Sequence, residues 1–160
     1  MSAVAAFAWW AWPHADQQAI LGNMDVVYQV HRVARCLLDF PHVASMDTYS
    51  HFGRAHHLHW LGPHALFYAL LAKGAGVSGA DYGGLVRVLS WVPPALGALA
   101  AALTAALAFS MTRRVPVALA AGLAMALSGD ALVCFHHGEM DHHLFASLGL
   151  LVAALGRPRG

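Results

Sequence analysis

The segment Gly138-Glu139-Met140-Asp141-His142-His143 sets two carboxylates and two imidazoles at the end of a long apolar run. Such groups are costly to desolvate, so beside lipid they face protein, water, a metal or a charged substrate rather than acyl chains. Gly138 lets the backbone turn sharply out of the run. Glu139, Asp141, His142 and His143 then offer oxygen and nitrogen ligands, against the plain alternative of a solvated loop. A second acid, Asp25, stands where an amphipathic segment begins. There it either caps a helix or contributes to a site for a hard divalent cation. Asp47 in Met46-Asp47-Thr48-Tyr49 organises a turn through its own backbone or joins such a site. His51, His56, His57 and His59 carry zinc-ligand chemistry, but their spacing fits neither a structural zinc motif nor HExxH. Asp130 interrupts an apolar run and is expected to line a cavity.

These residues are embedded in a membrane-like composition. Of the 160 residues, 59% are hydrophobic and 11% charged, against about 45–50% and about 25% in soluble domains. A net charge of +1 argues against a nucleic-acid partner. The two cysteines, Cys36 and Cys134, lie on different segments and form neither a disulfide framework nor a CxxC motif, so both read as buried apolar side chains. Twelve histidines are the unusual feature, and eleven fall between His31 and His64 or between His136 and His143.

The apolar runs position the polar ones. Residues 85–110 and 115–136 are each long enough to cross a bilayer core of about 30 Å as a helix. Thr112-Arg113-Arg114 makes a tight link between them, and paired arginines favour the cytoplasmic side. The region 23–84 and the outer motif loop 137–143 then share the opposite, extracytoplasmic face. Residues 1–13 and 144–156 are each about half a span, which leads to the expectation of a single truncated transmembrane domain. Within the outer region, Val26, Val27, Val30, Val33, Ala34, Leu37 and Leu38 follow helical spacing, predicting an amphipathic helix from Val26 to Asp39. Gln29, Arg32, Arg35 and Asp39 are expected to point away from its apolar face, and Pro41 to end it. Phe40 to Gly62 reads as an aromatic- and histidine-rich loop, and Leu61 to Ala72 as an apolar helix too short to span. Tryptophans at positions 9, 10, 12, 60 and 91 fall near the ends of apolar segments, as in an interfacial belt. The fold expected is all-α, a polytopic membrane protein with an amphipathic helix in its extracytoplasmic first loop.

In order along the chain stand Asp25-x-x-Tyr28-x-x-His31-Arg32, Phe40-Pro41-x-Val43-x-x-x-Asp47-x-Tyr49, His59-Trp60-x-x-Pro63, Pro93-Pro94-x-Leu96-Gly97 and Gly138-x-x-Asp141-His142-His143. This series resembles the N-terminal part of bacterial and archaeal oligosaccharyltransferase catalytic subunits, membrane glycosyltransferases of the GT-C superfamily. The resemblance implies GT-C-like N-terminal transmembrane helices. It also implies glycan transfer from a polyprenyl-phosphate or diphosphate carrier to an acceptor polypeptide, outside the bacterial inner membrane. By that resemblance Asp25 and Asp141 are the catalytic acids. With His143, which stands in place of a second acid, they would hold Mg²⁺ or Mn²⁺. His31, Arg32, Asp47, His59, Trp60 and His142 are the matching substrate-side positions. Two departures are Ala146, where the family often has glutamate, and Gly53-Arg54-Ala55, where it has a Pro-x-Gly turn. The family's later acidic loop and C-terminal acceptor-recognition domain have no counterpart here, so the chain is expected to be inactive without a chain supplying them.

A competing reading is a histidine-rich membrane protein that binds or transports divalent transition metals. It accounts for the histidine count but not for the order of the motifs. A di-iron hydroxylase would need closely spaced cytoplasmic histidine boxes, whereas these loops are predicted outside.

Overall fold

The computed structural model describes residues 24–47, 56–57, 62–135, 138–140 and 143–156. They are mostly helical, as expected of an all-α chain, and divide into two compact units, one within residues 20–90 and one within 91–160.

The first unit is built on helix α1, Met24–Leu38. Its start precedes the predicted one by two residues and its end by one, ahead of Asp39-Phe40-Pro41. The Asp39 amide closes the last turn onto the Arg35 carbonyl at 3.1 Å. Val26, Val30, Val33 and Ala34 are buried, as their spacing predicts. Leu38 is not: its side chain is 69% exposed. The opposite face departs further from expectation, because Gln29 and Arg32 are buried as well. The physical reason is that this helix is covered on more than one side. Helices α2, Gly62–Gly74, and α3, Tyr82–Leu89, pack against it. The segment from Val43 to Met46 lines a pocket with its polar residues.

Helix α2 contributes Ala65, Tyr68, Ala69 and Ala72 to this core, and α3 contributes Leu85 and Leu89. Asp81 caps α3 by accepting from the Gly84 amide at 2.8 Å. Tyr82 Oη donates to the Val27 carbonyl at 3.4 Å, tying the start of α3 to α1. Lys73 Nζ lies 3.8 Å from the centroid of the Phe40 ring, a cation–π contact between the end of α2 and the turn after α1. Between α1 and α2, strand β1, Met46–Asp47, pairs antiparallel with strand β2, His56–His57. Met46 faces His57 and Asp47 faces His56 in this two-residue ladder.

The second unit begins with α4, Val92–Thr112. One uninterrupted helix over 85–110 was the expectation, but the helix stops at Ser90 and Trp91 and restarts at Val92 with prolines in its first turn. Pro93 and Pro94 lack the N–H that a continuous ladder needs, and a first turn is where that loss costs least. Arg113 then adopts φ 56° and its amide bonds the Phe109 carbonyl at 2.8 Å, a left-handed C-cap. Arg114 is extended and opens α5, Val115–Leu127. The expected second span is thus also divided. Ser128 ends α5 and caps α6, Gly129–Cys134, accepting from the Ala131 amide and donating to the Met125 carbonyl. Helix α7, His143–Leu155, falls on the expected apolar segment 144–156.

Helices α4 and α5 approach closely because small residues face one another. Ala98, Ala100 and Ala101 pack with Ala126, Ala131 and Phe135, and Phe145, Leu148 and Leu151 of α7 lie against them. A Cβ at Gly122 would come within 3.1 Å of both the Ala101 carbonyl and Ala105 Cβ. Among the described residues, one run, Tyr82–Thr112, is long and apolar enough to cross a membrane. Helix α5 is shorter, at 13 residues.

Two substitutions test this packing. Gly122→Val is expected to force α4 and α5 apart and cost about 1–3 kcal/mol. Gly79→Ala should cost a similar amount by driving a methyl into the Ala34 carbonyl and the Leu37 and Leu38 side chains. Thermal unfolding of the detergent-solubilised variants, followed by tryptophan fluorescence, measures both, and unchanged midpoints would refute the close approaches.

Candidate functional site

Helix α1 gathers the first group of candidate residues. Asp25 is its second residue, in the first turn, where the macrodipole favours a carboxylate. Tyr28, His31, Arg32 and Arg35 follow at the i, i+3, i+4, i+7 positions that share one helical face. All four line one small pocket, about 10 Å³ in volume. Val43, Ala44 and Met46 form its other side. The sequence-predicted pair His31 and Arg32 is therefore brought together. Arg35 joins them, on the side of the helix away from its apolar stripe.

Within this pocket Arg32 is 6% exposed and its Nη1 donates to Gln29 Oε1 at 3.1 Å. Gln29 is itself buried one turn earlier, so the amide takes one of the five guanidinium donors and fixes the side chain's direction. Among the described residues, Gln29 Nε2 finds no acceptor. Cys36, directly after Arg35, is buried as the sequence suggests. Burial pushes its thiol above the ordinary value, the nearby Arg32 guanidinium pulls it down, and Asp39 adds a smaller upward push. Asp39 itself is exposed and lies 3.8 Å from His42 Nδ1 on the surface. A pair so exposed contributes little to stability.

The remaining candidates are placed less completely. Asp47 is in β1 opposite His56, and its side chain lies outside the described residues. His59, Trp60, Asp141 and His142 lie outside them as well. His143 opens α7 and is exposed. Gly138 takes φ 88°, a left-handed conformation suited to the sharp turn expected of it. Met140 is buried and Glu139 half-buried in the same motif. Asp130 is exposed in the first turn of α6. Asp25 belongs to the first unit and His143 to the second. Among the described residues, no three histidine, cysteine or acidic side chains converge as a metal group.

Sequence reasoning passed over two residues that the structure brings forward. His64 is buried in α2, its ring centroid 4.9 Å from that of Tyr68. Its i, i+4 spacing from Tyr68 was the available signal. Arg35 could have been recognised from its seven-residue separation from Tyr28, two helical turns along the same face. No protein-family model, curated protein or solved structure matches this chain.

The placement of Cys36 gives a direct test. With its thiol held protonated above the usual range, alkylation by iodoacetamide at about pH 8 should run on the order of tenfold slower than for an exposed cysteine. Arg32→Met removes the one influence lowering that pKa and should slow the reaction further. Rapid labelling of the native chain, at the rate seen after denaturation, would show that the thiol is neither buried nor shifted.

Proposed function

We propose that this chain is a GT-C-type membrane glycosyltransferase component, related to the N-terminal part of oligosaccharyltransferase catalytic subunits. Its partners are a polyprenyl-phosphate-linked glycan and an acceptor polypeptide. The observation that carries this reading is the conversion of a linear motif into a spatial one. Asp25-x-x-Tyr28-x-x-His31-Arg32 lies on a single helix, with Asp25 in the first turn and the next three residues around one pocket. The left-handed Gly138, and a helix opening at His143, support the sharp turn read at that motif.

In this reading the chain is multi-pass in the bacterial inner membrane. The run Tyr82–Thr112 crosses the bilayer, the Arg113-Arg114 turn faces the cytoplasm, and both acids face outside. Exposed Met111, Leu119, Leu127, Val133 and Leu150 give the second unit an apolar exterior suited to acyl chains. By the resemblance, Asp25, Asp141 and His143 would offer two carboxylates and an imidazole, donors suited to Mn²⁺, and to Mg²⁺ with additional waters. A cation held by them would supply charge neutralisation for the carrier phosphate as leaving group. The second task of the acids is to accept a hydrogen bond from the acceptor nitrogen and orient its attack on the anomeric carbon.

Divalent-metal binding to the purified chain in detergent tests the proposal. Mn²⁺ binding, read by electron paramagnetic resonance, should weaken at least about tenfold in both Asp25→Ala and Asp141→Ala. Zn²⁺ binding that is indifferent to either acid would instead support the histidine-rich metal-binding reading. The absence of Mn²⁺ binding in the wild type would overturn the transferase site.

A further inference from the structure

Asp130, expected to line a cavity, is exposed instead, and so are Leu127 and Val133 three residues to either side, at 64% and 70%. Among the described residues, no ion pair or side-chain hydrogen bond engages its carboxylate. The dipole of α6 favours an acid in its first turn, but a helix of six residues offers little of it and leaves the group uncovered. Helix α5 has 13 residues, about 20 Å at a rise of about 1.5 Å per residue. With Arg113 and Arg114 at one edge of a bilayer core about 30 Å thick, Asp130 falls short of the other edge. Its stem is too short to reach the interface as lysine and arginine stems do. An acid among acyl chains is costly, and such groups are met by a cation or by polar groups of protein. The surface leading to Asp130 suits a helix. Leu119, Leu123 and Leu127 are exposed at i, i+4 and i+8 of α5, with Ala120 and Ala124 exposed beside them. Small residues at that spacing let a second backbone come close, which is how helices associate where lipid removes the hydrophobic drive. A second copy of this chain does not offer a cation at the same depth: the described lysine and arginine side chains of the second unit are Arg113 and Arg114, at the far end of α5.

We propose that the α5–α6 surface carrying Asp130 docks a transmembrane helix of another protein, one that presents a lysine or arginine at the depth of Asp130. The cation pairs with the carboxylate, and the partner's backbone lies along Ala120 and Ala124. The inference rests on the multi-pass membrane reading given above and not on the transferase chemistry, whose acids are elsewhere in the chain.

The test uses the full chain in phosphatidylcholine nanodiscs. It is treated with a lipid-soluble or a water-soluble carbodiimide, and modification is read residue by residue by mass spectrometry, with the exposed Asp39 as aqueous reference. Asp130 should take the lipid-soluble reagent and Asp39 the water-soluble one. The docking probe is a synthetic leucine–alanine transmembrane helix with a single arginine about one turn inside its outer end, compared with the same helix carrying leucine there. Resonance energy transfer between probe and chain should report association at least about threefold stronger for the arginine probe, and that probe should protect Asp130 from the lipid-soluble reagent. Asp130→Asn, an exposed isosteric change whose far-UV circular dichroism should match the wild type, should abolish the preference. Modification of Asp130 by the water-soluble reagent at the rate of Asp39 would remove this surface from the membrane and the proposal with it. Lipid-soluble labelling combined with equal association of the two probes, or with a preference that survives Asp130→Asn, overturns the docking alone and leaves the membrane reading standing.

Discussion

The first unit depends on the burial of both faces of a single helix. One side of α1 is an ordinary apolar stripe in which Val26, Val30 and Val33 are buried, as are Tyr68, Leu85 and Leu89 of the helices packed against it. The other side buries Gln29 and Arg32, and an arginine removed from water must have its charge and its donors accommodated. The hydrogen bond to Gln29 meets part of that demand from one turn away. This constraint fixes the direction of Arg32, and the spacing of the helix then sets Tyr28, His31 and Arg35 around the same opening. The pocket is thus a consequence of how the helix is buried.

A different rule shapes the second unit. Between α4 and α5 its interior is alanine and glycine, which let the two helices approach closely, with Phe135 buried beside them, while many large apolar side chains, among them Met111, Leu119, Leu127, Val133 and Leu150, are exposed. That inverts the usual soluble arrangement and suits surroundings in which lipid offers no hydrophobic penalty for exposed leucine. Helix breaks fall where the backbone has a local substitute for the lost ladder. Pro93 and Pro94 occupy a first turn, and the Ser128 hydroxyl both donates to the preceding helix and caps the next.

Much of this was legible from residue order alone. The apolar positions of α1, the turn at Arg113 and Arg114, the burial of Cys36 and the bend at Gly138 all follow from local rules of periodicity, capping and glycine conformation. The candidate site was legible in part, since His31 and Arg32 stood out through their motif. Arg35 did not, because a single amphipathic helix is ordinarily read as having one buried face, and a charged residue off that face is assigned to solvent. His64 was hidden for a related reason: within an apolar segment a lone histidine carries no sign of whether its ring is enclosed.

The sequence by itself determined the helical character of the chain, the extent of α1 to within two residues, the turn at Arg113 and Arg114 and the membrane-like distribution of apolar residues, because each is set by neighbours within a few positions along the chain. Only the tertiary structure decided that Gln29 and Arg32 are enclosed, that the segment from Val43 to Met46 closes the pocket beside them, and that Asp47 registers against His56. These outcomes depend on which distant segments share a volume. Burial and charge compensation are properties of that shared volume, and no local pattern of residue types encodes them.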